Sequence, residues 1–463
     1  METGNIRHVY LLGIGGIGMS ALARYFNAQG KKVAGYDKTA TPLTEELKTE
    51  NIAVHFDENL LSIRELNLMP EDTLVIYTPA VPKQHAEYQY FLTHGFNVMK
   101  RSEVLGLITE NSYTIAVAGT HGKTTTSSLI AHMLRSSGVD CSAFLGGITQ
   151  NYQTNLFIGK DSGKKGAVTV VEADEYDRSF LSLHPDIAVI TSVDADHLDI
   201  YGDKEQMQES YHLFAQQLKA GGTLVAKKGT EAIQQNLKAD IISYSLNEST
   251  DYHAASMSIS GGRYHYSIVE GKKELKSLTL GLPGSHNVEN SVAATAVARL
   301  MGLTDGQIRE SLASFSGVKR RFEYHIRRDD LVYIDDYAHH PEELRACIQS
   351  VREMYPGKKI TGVFQPHLFT RTRDFAAGFM NSLSMLDEVI LLDIYPAREL
   401  PIEGITSAML LKGITAQSKL ICSKQELVSE IVKRRPEVLL TLGAGDIDAL
   451  VGPIKNALDV VLK

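Results

Sequence analysis

The chain has 463 residues, too many for one hydrophobic core, so about two to four domains are expected. Apolar residues make up 43% and charged residues 22%, the balance of an ordinary globular protein rather than a disordered or fibrous one. With 47 basic against 55 acidic side chains and no long basic run, nucleic acid is not an expected partner.

No stretch is long enough to span a bilayer, and the apolar run from Val9 to Ala23 is broken by four glycines, which fits a strand and turn better than a signal peptide. Cys141, Cys347 and Cys422 are odd in number, far apart and without metal-ligand spacing, so a reducing, cytoplasmic setting is expected.

Taken in order, strand His8 to Leu12 runs into G-I-G-G-I-G at Gly13 to Gly18, a helix from Met19 to Gln29, and strand Lys32 to Tyr36 ending at Asp37. This is the spacing of a dinucleotide fingerprint, with an acidic residue where a ribose is read. Alone it suggests an NAD enzyme, but turns of this form also serve other nucleotides. Strands Thr73 to Tyr77 and Asn97 to Met99 complete one doubly wound unit.

The next unit opens on A-V-A-G-T-H-G-K-T-T-T, Ala116 to Thr126, with a buried strand before it and a helix after. Such a turn is a phosphate cradle. Backbone N–H groups and the positive helix end face the anion, Lys123 supplies a point charge, and the Thr124 hydroxyl suits Mg²⁺. A strict P-loop has glycine where Val117 stands, so the loop is a variant.

Strand Ala167 to Val171 delivers Glu172, Asp174 and Glu175, and strand Ile187 to Ser192 delivers Asp194, Asp196, His197 and Asp199. Two adjacent strands ending in carboxylates and imidazole beside a phosphate loop favour Mg²⁺ on nucleotide phosphates, because open α/β sheets bind ligands at strand carboxyl ends. Short alternating segments follow from Tyr244 to Leu280. L-P-G-S-H-N then leads into an Ala-rich helix, where His286 and Asn287 read equally well as helix caps.

The third unit follows Ser316-Gly317. Lys319, Arg320 and Arg321 precede strand Leu331 to Ile334, which leads to D-D-Y-A-H-H-P at Asp335 to Pro341. Strands Lys359 to Phe364, Glu388 to Ile394 and Val438 to Thr441 lead to Q-P-H-L-F-T-R-T-R-D, to Tyr395 and to G-A-G-D. Four strands ending in polar clusters define another doubly wound unit with its ligand edge there.

Together G-I-G-G-I-G-M, G-T-H-G-K-T-T-T, E-A-D-E, D-A-D-H-L-D, L-P-G-S-H-N, R-R-F-E, D-D-Y-A-H-H-P and Q-P-H, in this order, resemble the Mur ligase family across nearly the whole chain. The resemblance implies an α/β fold of three domains: a Rossmann-like UDP-sugar domain at 1–107, a P-loop ATPase-like domain with a mixed sheet at 108–317, and a Rossmann-like amino-acid domain at 318–463. It implies a ligase of peptidoglycan precursor synthesis that uses ATP and Mg²⁺ to phosphorylate the lactyl carboxylate of UDP-N-acetylmuramate. The amine of L-alanine then attacks the acyl phosphate.

By the same resemblance, Gly119, Thr120, His121, Gly122, Lys123, Thr124 and Thr125 hold ATP, with Asn287 on adenine, Arg321 on phosphate and Asp336 on the ribose. Thr124, Glu172 and His197 hold metal. Gly15, Gly16, Ile17, Gly18, Asp37, Thr78 and Arg101 hold the UDP-sugar, and Tyr337, His339, His367 and Arg371 surround the amino acid. Lys123, Glu172, His197 and Arg371 are the catalytic set. Two positions depart from relatives: the region of Tyr211 and His212 lacks the lysine that sister ligases carbamylate, and Leu368 stands where arginine often follows Q-P-H. The competing readings are a sister ligase that joins a tripeptide to the same sugar nucleotide, an NAD-dependent oxidoreductase, and a GTPase switch. The last lacks an N-K-x-D motif.

Overall fold

The computed structural model describes residues 5–194, 201, 203–397 and 399–461. Three α/β sheets carry the chain. The first has five parallel strands in the order Ala53–His55, Lys32–Tyr36, His8–Leu12, Thr73–Tyr77, Asn97–Lys100. Chain order reverses between His8–Leu12 and Thr73–Tyr77, and such a switch point opens a crevice at the strand ends. The glycine turn leaves the first of these strands and Thr78 leaves the second, so both face the crevice.

The second sheet runs Asp240–Ser245, Thr223–Lys227, Ile187–Ile190, Tyr113–Ala118, Val168–Glu172, Cys141–Phe144, Leu156–Phe157. It is parallel except for the last, antiparallel pair, so the expected mixed sheet is present. Strands Tyr252–Ser260, Arg263–Glu270 and Lys273–Leu280 continue it beyond Asp240–Ser245. The two acid-bearing strands were expected to be adjacent. They are not neighbours, because Tyr113–Ala118 lies between them and pairs with both. That central strand is fully buried from Thr114 onward, as a parallel strand covered on both faces must be.

The third sheet has the order Glu323–Arg327, Val332–Asp336, Val438–Leu442, Ile360–Phe364, Glu388–Leu391, Ser418–Ile421, with only the first strand antiparallel. Its four central strands are the four whose polar ends marked the ligand edge. The helix Pro341–Met354 starts there for legible reasons: Pro341 fills the first turn without wasting a donor, and the His340 ring accepts from the Glu342 N–H.

By compactness the chain forms two units. One comprises Met1–His253, Ile268–Leu275 and Asn290–Leu312, the other Ala254–Ser267, Lys276–Glu289 and Ala313–Lys463. All three cysteines are buried and free, and among the described residues no helix is long and apolar enough to cross a membrane.

Candidate functional site

In the first unit the phosphate loop is built by exclusion of side chains. Gly119 has φ 134°, and a Cβ there would lie 2.0 Å from Thr191 Oγ1 and within 2.9 Å of the Thr191 and Ser192 backbone nitrogens. The loop is clamped to the end of Ile187–Ile190. Thr120 and Ser192 share a hydroxyl hydrogen bond of 2.7 Å, the His121 N–H donates to Ser192 Oγ at 3.0 Å, and Thr191 Oγ1 donates to the His121 carbonyl at 2.5 Å. Asp194 donates its N–H to Thr120 Oγ1 and lies 3.7 Å from His121 Nε2.

Gly122, left-handed at φ 81°, stands at the cap position of the helix Lys123–Ser136 and brings no side chain of its own to cap it. The first-turn N–H groups and the helix dipole are therefore directed at whatever anion the loop holds. Lys123 Nζ donates to the Gly119 carbonyl at 2.6 Å and pairs with Glu175 at 2.7 Å. Burial works against the charge of Lys123, but Glu175, Glu172 and Asp174 outweigh it and hold the ammonium above its ordinary range. Burial also pushes the Glu175 carboxyl up to about 7.

Glu172 ends the neighbouring strand and accepts the Gly146 N–H at 3.1 Å. A Cβ on Gly146 would meet both Glu172 carboxylate oxygens at 2.3 Å, so glycine there is what lets the acid lie against the backbone. Thr124 and Thr125 are buried in the first helical turn. His197, Asp196 and Asp199 lie outside the described residues.

The fingerprint turn belongs to the same unit. Asp37 accepts the N–H of Gly15 at 2.8 Å and of Thr39 at 3.1 Å, so its carboxylate braces the turn. Gly13 at φ 85° would drive a Cβ to 2.6 Å from Thr78, and a Cβ on Gly18 would lie 2.4 Å from Arg101 Nη1. Arg101 thus lies over the start of helix Ile17–Ala28, and its other nitrogen donates to Asp174 at 3.0 Å. One guanidinium ties the fingerprint turn to the E-A-D-E loop.

In the second unit, Asp336 ends strand Val332–Asp336 fully buried, accepting the N–H groups of Phe322 at 2.7 Å and Ala338 at 2.8 Å. Burial pushes its carboxyl up to about 6 against the pull of Arg321 and those two N–H groups. It pins a turn in which Arg320 and Phe322 both have positive φ. Tyr337 receives the guanidinium groups of Arg320 and Arg321 over its ring, at 5.2 and 4.9 Å from the centroid.

His339 meets the Tyr337 ring edge-on and lies 6.1 Å from His367, which stacks on Tyr395 at 5.7 Å. Arg371 is buried in the short helix Phe369–Asp374. In the same helix Arg373 donates to Asp374 at 2.7 Å. Leu368 precedes that helix at φ 69°, a strained backbone for a residue with a side chain. Asn287 is buried and donates to the Pro283 carbonyl at 2.6 Å.

Sequence reasoning counted Glu175 only among the strand-end carboxylates that favour Mg²⁺, where the structure pairs it with Lys123, and overlooked Tyr201, whose hydroxyl donates to the Glu175 carbonyl at 2.5 Å. The signal for Glu175 was its position three residues after Glu172, at the same strand end.

A glycine-shaped anion loop with a buried lysine, a second glycine turn at a sheet switch point, and a third sheet edged with imidazole, guanidinium and phenol define a nucleotide-using α/β enzyme. Residues 8–113 match the Mur ligase family, catalytic domain; 117–298 match the Mur ligase middle domain; and 320–445 match the Mur ligase, glutamate ligase domain. The chain belongs to the Mur ligase family.

Relatives named UDP-N-acetylmuramate–L-alanine ligase include that of Parabacteroides distasonis, 50% identical over 461 residues that cover 99% of this chain and 98% of the relative. That of Flavobacterium psychrophilum is 51% identical over 459 residues, covering 99% and 100%. Among solved structures, the UDP-N-acetylmuramate-alanine ligase of Thermotoga maritima superposes with a TM-score of 0.81 at 26% identity, covering 98% of this chain and 99% of that one. The murein peptide ligase of Psychrobacter arcticus shares the fold, with a TM-score of 0.70 at 21% identity over 98% of both chains.

Proposed function

We propose that the protein is an ATP-dependent ligase that joins L-alanine to the lactyl carboxylate of UDP-N-acetylmuramate in peptidoglycan precursor synthesis, acting in the cytoplasm. The observation that carries this reading is the match at about half identity, over almost the full length of both chains, to relatives named for that reaction. The domains proposed are 1–107 for the sugar nucleotide, 108–317 for ATP and 318–463 for the amino acid.

The reaction couples two transfers. The lactyl carboxylate attacks the γ-phosphorus of ATP and ADP leaves; the alanine amine then attacks the acyl carbon, loses a proton, and expels phosphate as the amide forms. The first step brings anions together, so catalysis is mostly positioning and neutralisation. Lys123 supplies a fixed positive charge in a buried setting where it is worth more than in water. The N-terminal turn after Gly122 would supply N–H donors to the phosphates.

The oxygen donors Thr124 and Glu172 suit Mg²⁺, which takes few protein ligands and completes its shell with phosphate and water. With His197 they would hold the ion, which when bound supplies positive charge to the phosphates.

Against the oxidoreductase reading, the turn at Gly13 to Gly18 is expected to take the UDP pyrophosphate. Titration should give saturable binding of UDP-N-acetylmuramate and none of NADH; NADH binding without response to the sugar nucleotide refutes the assignment.

Arg371, with Tyr337, His339 and His367, is proposed to hold the alanine carboxylate. Arg371→Lys keeps the charge but loses the planar two-point fork, so KM for alanine should rise about tenfold, with KM for ATP and the sugar nucleotide unchanged. Unchanged alanine kinetics would move the carboxylate site elsewhere.

A further inference from the structure

The buried pair between Lys123 and Glu175 has no task in the chemistry above. An ammonium has three donors, and here they reach the Gly119 carbonyl at 2.6 Å, Glu175 Oε1 at 2.9 Å and, at the long limit, the Thr120 carbonyl at 3.5 Å, with Glu175 Oε2 in ion-pair contact at 2.7 Å. Of these acceptors, Gly119 and Thr120 belong to the loop itself. The other is a carboxylate that arrives from a different strand end, with its side chain 2% exposed.

The segment carrying Glu175 is held in an unusual shape. Asp177 and Arg178, directly after Tyr176, both have left-handed backbones at φ 53° and 54°. Two consecutive residues of this kind persist only where the surroundings over-determine them. The surroundings do so: Lys100 pairs with Asp177 at 3.0 Å, Arg178 lies 5.8 Å over the Tyr201 ring and donates its N–H to the Glu175 carbonyl at 2.9 Å. The Tyr201 hydroxyl donates to the same carbonyl at 2.5 Å, and Asp174 Oδ1 accepts the Tyr176 N–H at 3.1 Å. The carboxylate is therefore aimed at Lys123 by a braced turn.

From this geometry we infer that Glu175 is a positioning residue that competes with the outer phosphates of the nucleotide for the Lys123 ammonium, and so weakens nucleotide binding and hastens release of ADP. The inference rests on the nucleotide-binding reading of the loop. A phosphate oxygen that takes up Lys123 must displace Glu175, because the Gly119 carbonyl cannot leave without unmaking the loop. The displaced carboxylate would stand buried beside anions, and its raised proton affinity lets it take up a proton near neutral pH. As ADP departs the exchange reverses, and Glu175 reclaims the lysine. Competition of this kind lowers affinity for substrate and product alike, which keeps turnover from stalling on bound ADP.

The test is calorimetric titration with ADP, with and without Mg²⁺, of the wild type, Glu175→Gln, Glu175→Asp and the pair Lys123→Ala and Lys123→Ala/Glu175→Gln. The amide keeps the shape and loses the charge, so Glu175→Gln should lower Tm yet bind ADP about tenfold more tightly, the size of one charged hydrogen bond. KM for ATP should fall without a rise in kcat. Glu175→Asp, whose carboxylate is drawn back by one methylene, should show a smaller gain in affinity and serves if the glutamine variant does not fold.

In the Lys123→Ala background, Glu175→Gln should leave the ADP affinity unchanged, because the effect acts through the lysine. ADP affinity that is equal to or weaker than wild type in both single Glu175 variants is the signature of a carboxylate that only supports the loop, and overturns the inference. So does a gain that persists without Lys123. A wild type that binds no ADP removes the nucleotide reading itself.

Discussion

Lys123→Ala should abolish ligation while leaving a folded protein, with turnover reduced on the order of 10³-fold or more. The lost ammonium serves charge that peaks as the carboxylate meets the γ-phosphate, whereas the loop backbone, clamped by Thr120, Thr191 and Ser192, still offers its N–H groups. The same substitution leaves Glu175 buried without its cation, which ordinarily costs about 3–5 kcal/mol.

Here the cost is relieved by protonation, and that fixes the sign of a pH effect. A carboxyl whose folded pKa stands above its unfolded value binds more protons when folded, so its stability contribution is present at low pH and is lost as pH rises through the folded value. The variant's Tm should therefore fall between about pH 6 and pH 8 more steeply than that of the wild type. A soluble Lys123→Ala protein with near-normal turnover would sink the phosphate-loop assignment.

Gly119→Ala should be nearly as damaging, for a steric reason. At φ 134° the new Cβ would lie 2.0 Å from Thr191 Oγ1 and 2.8 Å from the Ser192 backbone nitrogen. A side chain can rotate away, but the backbone cannot, so the loop or the end of strand Ile187–Ile190 must move. The expected loss is more than about 2 kcal/mol of stability, from forbidden backbone and overpacking together, and at least about 10²-fold in kcat/KM from misplaced phosphates. Gly30→Ala is the control: it also has positive φ, at 73°, but a Cβ there meets nothing within 4 Å, so it should cost only about 1 kcal/mol and leave kinetics alone. Equal behaviour of the two variants would show that the crowding around Gly119 does not matter.

Much of the fold was legible because parallel strands buried on both faces read as short, mostly apolar runs. His8–Leu12, Lys32–Tyr36, Thr73–Tyr77 and Tyr113–Ala118 stand where those runs placed them. Strand ends carrying acids were harder. Asp335 and Asp336 read as residues after a strand, yet they belong to it, because Asp335 accepts the Thr441 hydroxyl and Asp336 pairs with Leu442 in the sheet.

Sheet order was not legible either, since a βαβ crossover fixes its hand but not which strand it skips. Hence the acid-bearing strands looked adjacent when Tyr113–Ala118 divides them. In the candidate site the glycines and Lys123 announced themselves through backbone and charge requirements written into consecutive residues. The partnership of Lys123 with Glu175 spans 52 positions and forms only on folding. The role of Arg101 in holding Asp174 was hidden in the same way, as it joins residues 73 positions apart.

Phosphate release from ATP with mass analysis of the sugar nucleotide tests the proposed reaction most directly. Purified protein with Mg²⁺ should release phosphate only when UDP-N-acetylmuramate and L-alanine are both present, and the sugar nucleotide should gain the mass of one alanine residue. Phosphate release that needs a tripeptide in place of alanine would assign the sister activity. Release that ignores UDP-N-acetylmuramate altogether would contradict the account.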